Sequence, residues 1–368
     1  MNRDGIKVSV IGSNGIPARY GGFETLAEYL TKELGSDLRI TVYCSSLYSK
    51  KERIKTYNNA KLIYLPFKAN GIQSLLYDSI STLHALIRSD VLLILGPAVG
   101  FITILNKVFR KKIITNHGGL NEWEREKFSF LQKRYAFLSH KLAGKYSDIN
   151  IADNYPLKEK LSQTFGVSAE VIEYGGDHVN RERITPESLI RYPFLPEPYA
   201  LCVARAQMDN NLHLLIECFI ELEEENLVIV SNWGISTYGQ SLKEKYMNVD
   251  GLYLVDAVYN KKDLDIIRSN TKLYIHSHSE CGTAPSLVEA MNYNIPIICY
   301  DVETNRKSTE GKSYYFSNVG DLKSLINNLN NIELAKLRES MYDIAIRRYS
   351  WKVIGRKYYD IIQRLSRN

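Results

Sequence analysis

Short apolar runs that end in a turn of small residues and open directly onto a helix constrain this chain more than any other feature. The clearest spans Lys272 to Met291. Lys272-Leu273-Tyr274-Ile275 has the continuous apolar character of a strand buried in a parallel sheet. A turn through His276, Ser277, His278, Ser279, Glu280, Cys281 and Gly282 follows. Thr283-Ala284-Pro285-Ser286 then opens a helix, with Thr283 the expected N-cap and Pro285 in the first turn, where its missing N–H costs nothing. Free N–H groups and the helix dipole at such a start favour an anion, so the stretch suits a phosphate-bearing ligand. Glu289 falls about one turn into the helix, where its carboxylate could take a sugar hydroxyl. An ordinary strand-to-helix turn with a surface glutamate would read the same way.

The pattern has a first instance near the start of the chain. Residues 6–11 form a strand, residues 12–24 (GSNGIPARYGGFE) a glycine-rich loop, and Leu26, Leu30 and Leu34 mark a helix. The spacing is not GxGxxG, which argues against a nicotinamide site. Gly21-Gly22 at the helix start would let a ligand or another backbone approach closely. Strands at 39–44, 61–65, 91–95, 112–115, 149–152 and 170–173 alternate with helical patterns, the order of a doubly wound parallel sheet. Arg181, Glu182, Arg183, Pro186, Pro193, Pro196 and Pro198 give residues 180–198 the character of a linker. After it the pattern restarts, with strands at 199–204, 227–231, 252–255, 272–276 and 295–299. Tyr349, Trp351, Ile354, Tyr358, Ile361 and Ile362 recur at helical spacing in the tail, an amphipathic helix expected to pack back on a domain.

Composition narrows the classes. A chain of 368 residues exceeds a typical single core, so two domains are expected. No apolar run approaches 18 residues, which leaves no spanning helix, and MNRDGIKVSVIG enters a strand too soon for a signal peptide. Cys44, Cys202, Cys218, Cys281 and Cys299 are scattered and odd in number, read as reduced thiols without metal spacing. The net charge of +6 suits an anionic substrate or lipid headgroups without calling for nucleic acid.

Seven stretches, in order along the chain, carry a family resemblance: IGSNGIPARYGGFETLAEYL (11–30), NHGGLNEWEREKF (116–128), ADN (152–154), EYGGDH (173–178), VARAQMDNNLHLLIECF (203–219), HSHSECGTAPSLVEAM (276–291) and YDVETNR (300–306). Together they resemble the retaining nucleotide-sugar glycosyltransferases of family GT4, closest to the bacterial branch of capsule and O-antigen rhamnosyltransferases. The resemblance implies the GT-B fold, an α/β architecture of two Rossmann-like domains facing a cleft, with a C-terminal helix returning to the N-terminal domain. Residues 1–180 would bind the acceptor, 181–345 the nucleotide sugar, and 346–368 would form the returning helix. It implies dTDP-L-rhamnose as leading donor, a uridine-linked hexose as rival, and a lipid-pyrophosphate-linked glycan as acceptor. Transfer would proceed with retention by front-face attack, the departing phosphate oxygen taking the acceptor proton.

Breaking a sugar–diphosphate bond requires neutralising charge on the leaving group, by a metal or by fixed cations and N–H dipoles. No Asp-x-Asp pair stands out at a strand end, so a reaction without metal or other cofactor is expected. Arg205, after the first strand of the second half, is the candidate cation, although it could instead bridge a carboxylate. Where the family pattern usually places a lysine five residues on, this chain has Asn210.

By resemblance, Gly282, Thr283, Ala284, Pro285 and Ser286 would cradle the diphosphate, Leu287 would line the donor site and Glu289 would hold the ribose. His276 and His278 would line the donor pocket; Glu280 is out of register with the family glutamate near the donor sugar. In the first half, Gly15, Gly21 and Gly22 would face the diphosphate or acceptor, Arg19, Tyr20 and Glu24 the acceptor, and His117 the donor sugar. Gly118 stands where the branch more often has aspartate. Asp153, Asn154 and Asp177 would touch acceptor or sugar, or simply cap turns. Asn305 and Arg306 would support the cleft wall.

The runs 98–112 and 128–145 are apolar then basic, suiting an anionic membrane interface or, equally, core helices with solvated ends. The expected location is the cytoplasm, with peripheral contact at the inner face of the plasma membrane. A GT-B epimerase and a catalytically silent binding subunit are the alternatives; the acceptor-side motif GIPARYGGFE argues against the first, while Asn210 and Gly118 keep the second open.

Overall fold

The apolar runs become the strands of two sheets. The computed structural model describes residues 5–19, 21–71, 73–118, 123 and 129–367. Its chain divides into two units, one built from residues 1–174 and 351–368 and the other from 175–350.

The first unit holds β1 (Lys7–Ile11), β2 (Arg39–Cys44), β3 (Thr56–Tyr57), β4 (Ala60–Tyr64), β5 (Val91–Leu95), β6 (Lys112–Asn116), β7 (Ile149–Ala152) and β8 (Glu170–Val171). They form one sheet in the order β3-β4-β2-β1-β5-β6-β7-β8, parallel except for the β3–β4 pair. Its helices are α1 (Gly22–Leu34), α2 (Gln73–Arg88), α3 (Asn106–Phe109), α4 (Phe130–Tyr146) and α5 (Tyr155–Phe165). The central strand β5 is buried at every residue. Val91, Leu93 and Leu95 face one hydrophobic cluster and Leu92 and Ile94 another, as expected of a strand covered on both faces.

The second unit holds α6 (Pro186–Arg191), β9 (Tyr199–Val203), α7 (Leu212–Ile220), β10 (Asn226–Ser231), α8 (Thr237–Tyr246), β11 (Leu252–Asp256), α9 (Lys261–Ser269), β12 (Leu273–His276), α10 (Pro285–Asn292), β13 (Ile297–Tyr300), α11 (Glu303–Ser308), β14 (Tyr314–Phe316), α12 (Val319–Asn328) and α13 (Asn331–Arg348). Its sheet runs β11-β10-β9-β12-β13-β14, all parallel. The strand order reverses between β9 and β12, the point at which such sheets open a crevice beyond their carboxyl ends.

The last helix, α14 (Trp351–Arg367), belongs to the first unit. Trp351, Ile354, Tyr358, Ile361, Ile362 and Leu365 are buried in its core. Trp351 stacks on Tyr29 of α1 with ring centroids 4.8 Å apart. The Tyr358 hydroxyl accepts a hydrogen bond from Asn116 Nδ2 at 2.9 Å, and Lys357 pairs with Glu173 at 2.6 Å. At about 1.5–3 kcal/mol for each large side chain buried, this stripe is a major part of that core.

The units divide at 174/175 and 350/351, a few residues from the domain limits of 180 and 345 expected from the sequence. Gly176 N donates to Tyr349 O at 2.7 Å and Asn180 N to Asp265 at 3.3 Å, so residues 175–180 are tied to the second unit. The segment 180–198 is not a loose linker either. Pro186 starts α6 behind the N-cap Thr185, and Phe194 and Leu195 are buried in the core.

Candidate functional site

Because β12 pairs directly with β9, the turns that follow these two strands lie side by side. They are stitched together by side chains. Ser279 donates through its backbone N and its hydroxyl to Asp209 O, at 2.8 and 2.9 Å. The Ser277 hydroxyl donates to Asn210 O at 2.5 Å, and Asn211 Nδ2 donates to Ser277 O at 3.0 Å. Asn211 adopts a left-handed conformation (φ 50°), which asparagine tolerates, to turn the chain into α7.

Asn210, in the place of the expected second cation, is buried and donates through Nδ2 to the carbonyl of Arg205 at 2.8 Å. It shapes the turn that carries Arg205. The Arg205 side chain itself is exposed, and among the described residues its guanidinium has no hydrogen bond or ion pair. No carboxylate of the described residues neutralises it, contrary to the alternative in which it bridges one.

Beside it lie two histidines. Burial, joined by the positive charge of Arg205, pushes His278 down to about 3, and burial with the neighbouring His278 pushes His276 well below its ordinary value. Both are therefore neutral near pH 7. Their rings are 4.2 Å apart between centroids. Among the described residues, His276 Nδ1 and Nε2 and His278 Nε2 are buried without a hydrogen-bond partner. Cys281 lies close enough that one ligand atom from each of the three residues falls within 4.8 Å of the others, a donor set suited to a soft divalent ion. Asn305 holds the turn from behind, donating through Nδ2 to His278 O at 3.0 Å and Tyr300 O at 2.9 Å. Arg306, expected to support the same wall, pairs with Asp301 and lies 4.1 Å over the Tyr315 ring.

Thr283 is not the N-cap. Ala284 takes that position with extended backbone and no side-chain cap, and Pro285 follows as the first helical residue. Thr283 is instead buried, one residue too early. The first turn of α10 thus lacks a capping side chain, while the side chain of Leu287 points into the core and that of Ser286 lies beside the Tyr274 hydroxyl. Gly282 is buried at the base of the turn and Glu280 is exposed at its rim.

Glu289 sits one turn in but is not a free surface carboxylate. Its Oε2 lies 2.7 Å from Arg268 Nη1 and its Oε1 3.1 Å from His178 Nε2. Burial acts to raise its pKa, but the Arg268 guanidinium and His178 outweigh it and hold the carboxyl at about 2. The sequence reading missed both partners. His178 stood within the quoted EYGGDH without a role, and Arg268 hides in α9 among Ile266 and Ile267. Gly176 explains one glycine of that motif: a Cβ there would sit 2.5 Å from Val288 O, so glycine lets this segment press on α10 and bring His178 to Glu289.

In the first unit, several expected ligand contacts serve the fold. A Cβ on Gly15 (φ 110°) would lie 2.5 Å from Cys44 Sγ, so the close approach there is to the end of β2. Gly21 (φ 121°) accommodates the Glu24 carboxylate, and Gly22 faces the ring of Tyr174. Glu24 is buried and accepts from Asn14 N at 2.7 Å and Asn14 Nδ2 at 3.0 Å, folding back to hold the glycine-rich loop. Arg19 pairs with Glu52 and covers the Tyr48 ring at 4.8 Å. Tyr20 lies outside the described residues.

His117, placed at the donor sugar by resemblance, is fully buried, and burial brings it down to about 4. Its Nε2 bonds Asn150 Oδ1 at 2.9 Å and its Nδ1 faces His140 Nδ1 at 3.3 Å, so both ring nitrogens are occupied within the unit. Gly118 has φ 75°, a left-handed conformation that favours glycine. Asn154 is the N-cap of α5, accepting from Leu157 N at 2.8 Å, and Asp153 accepts from Asn154 Nδ2 at 2.6 Å. Asp177 is exposed in the turn before His178.

Comparison with known proteins agrees with this division. Residues 6–177 match the family model described as Domain of unknown function (DUF1972), and residues 191–348 match Glycosyl transferases group 1. No curated protein matches. Among solved structures, the chain is similar to Anabaena HepE in complex with UDP (14% identity, 97% of this chain and 99% of that one, TM-score 0.72). It is similar also to sucrose-phosphate synthase from Thermosynechococcus elongatus (13%, 99% of each, TM-score 0.76) and to a glycosyltransferase from Rickettsia africae (15%, 100% of each, TM-score 0.75). The fold is GT-B, with two Rossmann-like α/β domains, and the group 1 domain makes the chain a glycosyltransferase.

Proposed function

We propose that the chain is a retaining glycosyltransferase that moves a sugar from a nucleoside diphosphate to a lipid-linked oligosaccharide during assembly of a bacterial surface polysaccharide. L-rhamnose from dTDP-rhamnose is the leading donor, on the resemblance of the motifs, and a uridine-linked hexose is its rival; HepE has been crystallised with UDP and with UDP-glucose. The observation that carries the reading is the guanidinium of Arg205, unpaired among the described residues and close enough to act on His278, together with the uncapped start of α10 after the interlocked turn. When the bond from the anomeric carbon to the diphosphate breaks, its electron pair moves to the phosphate oxygen. Arg205 and the α10 amides stabilise that charge without a metal. The same oxygen takes the proton of the acceptor hydroxyl as the new glycosidic bond forms on the same face. His276 and His278 offer their unpartnered nitrogens to the donor, and Glu289, oriented by Arg268 and His178, accepts from the ribose.

The acceptor would be held by residues 1–174, at the inner face of the plasma membrane. Asn210 shapes the turn that carries Arg205, and Gly118 takes a left-handed backbone conformation, so each of the two departures that suggested a silent subunit has a place in the fold. Purified protein incubated with dTDP-rhamnose or UDP-glucose and a lipid-pyrophosphate glycan should release nucleoside diphosphate with one of them, in the presence of a chelator, and yield a product of retained anomeric configuration. Binding of a donor without turnover would favour the silent subunit, and a glycosyl adduct trapped on a carboxylate would overturn front-face attack.

A further inference from the structure

The turn between β12 and α10 brings His276, His278 and Cys281 together within a single short stretch of chain. One ring nitrogen from each histidine and the cysteine Sγ lie within 4.8 Å of one another, the only such group of three potential metal ligands among the described residues. Two observations separate it from a chance cluster. His276 is fully buried, and neither of its ring nitrogens has a hydrogen-bond partner among the described residues, nor has His278 Nε2. Buried polar atoms without a partner are rare in folded proteins, and a bound ion is one reason for them. The second observation concerns Cys281. Cys44, Cys202, Cys218 and Cys299 are buried, whereas Cys281 is partly open to solvent. Its Sγ lies 3.8 Å from Asn305 Oδ1, while Asn305 Nδ2 holds His278 O, so one buried amide fixes the cysteine and the histidine relative to each other. Outer partners of this kind orient the ligands of metal sites.

The donor set decides the class of ion. Two imidazoles and a thiolate suit zinc, whereas magnesium and calcium take oxygen ligands. With Zn–N at about 2.0–2.1 Å and Zn–S at about 2.3 Å, ligands at tetrahedral angles stand roughly 3.3–3.6 Å apart. The group therefore has to close by at most about 1.5 Å, which rotation of the His278 and Cys281 side chains can supply. As the metal–sulfur bond forms, the Cys281 thiol gives its proton to solvent, and the ion keeps its oxidation state. The thiolate offsets one of the two charges of the ion, and water takes the fourth position. His276 and His278 cannot give the same nitrogens to an ion and to a donor sugar nucleotide, so the two compete.

We infer that His276, His278 and Cys281 form a binding site for a zinc-class divalent ion, and that the bound ion blocks the donor. The ion acts as an inhibitor and takes no part in transfer. The block rests on the reading of these histidines as donor contacts; the ion site does not. The full chain, stripped with a chelator and exchanged into metal-free buffer, should take up a single zinc ion in equilibrium dialysis. Cobalt in its place should show the visible bands of a tetrahedral ion and a thiolate charge-transfer band. Cys281→Ser should lose that band and hold zinc at least about tenfold more weakly, a loss no smaller than that for an outer partner. Unchanged thermal unfolding of the metal-free variant would show that it folds; His278→Asn, read by the cobalt spectrum, serves as the second variant. At zinc about ten times its own dissociation constant, the parent should bind UDP-glucose or dTDP-rhamnose about tenfold more weakly, and Cys281→Ser should bind it as without zinc. Zinc uptake by the parent equal to that of Cys281→Ser, or a thiolate band that survives in the variant, would overturn the ion site. Zinc held through Cys281 with donor affinity unchanged would overturn the block. If the metal-free parent binds neither donor, the donor reading fails, and the cobalt spectrum still decides the ion site.

Discussion

Arg268 and Glu289 meet at 2.7 Å inside the second unit, and the arginine is 5% exposed. His178 occupies the other carboxylate oxygen. Glu289 is therefore both the residue expected at the ribose and the counter-ion of a buried cation. Replacing it with alanine leaves Arg268 uncompensated and should cost about 3–5 kcal/mol of stability. Glu289→Gln, which keeps hydrogen-bond acceptors, should lose less stability than alanine while still weakening donor binding. Chemical denaturation combined with donor titration separates the two effects; equal stability of the alanine variant and the parent would refute the buried pair.

The same pair fixes a pH dependence. A glutamate in the unfolded chain titrates near ~4.3, whereas Glu289 in the folded chain titrates at about 2. Its contribution to stability is complete above the unfolded value and is lost as pH falls toward the folded one. The stabilities of the parent and of Glu289→Gln should converge as pH falls from about 4 to about 2. A stability difference that persists unchanged at pH 2 would contradict this.

Arg205 carries no structural duty visible in its contacts. Arg205→Ala should leave the melting temperature within about a degree or two, as for surface substitutions, while lowering kcat by about 10²–10³, the usual loss when one fixed donor to a developing anion is removed. Steady-state kinetics with saturating donor is the measurement. Near-parental turnover would remove Arg205 from the reaction.

Asn210 offers a sharper test, because restoring the family's lysine should harm the protein. The amide donates to the carbonyl of Arg205 from a buried position, and a lysine there brings a charge into the turn and removes that bond. Asn210→Lys should lower both thermal stability and transfer rate. A gain in rate would mean that the second cation was simply missing.

Gly176 is limited by contact and not by conformation. Gly176→Ala places a methyl against the carbonyl of Val288 in α10. The expected loss is about 1–3 kcal/mol, together with weaker donor binding as His178 is pushed from Glu289. Calorimetric unfolding and donor titration on one sample would check both.

Much of the fold was legible because its signal is local. The runs at 91–95 and 227–230 are apolar along their whole length, and a strand covered on both faces has no other pattern to show. The amphipathic spacing from Trp351 to Ile362 is equally direct. The linker misread prolines: Pro186 starts a capped helix, so a residue that breaks structure in mid-element here begins one. Thr283 failed as a cap because capping depends on which residue has non-helical backbone, and a one-residue offset is invisible in composition. The partners of Glu289 were out of reach for a different reason. His178 lies over a hundred positions away in sequence, and Arg268 sits among isoleucines, so neither proximity nor hydropathy points to the contact. The histidines were named from the sequence, but that His117 would be spent internally while His276 would not is decided by neighbours that only the fold supplies.

That α14 completes the core of the first unit has a consequence for folding. Residues 175–350 hold a sheet and core of their own, whereas the first unit lacks a wall until α14 is laid on α1. The second unit can thus fold without α14, while the first stays open along α1 until that helix is present. A chain truncated after Ser350 should resist protease across the second sheet and be cut within the first.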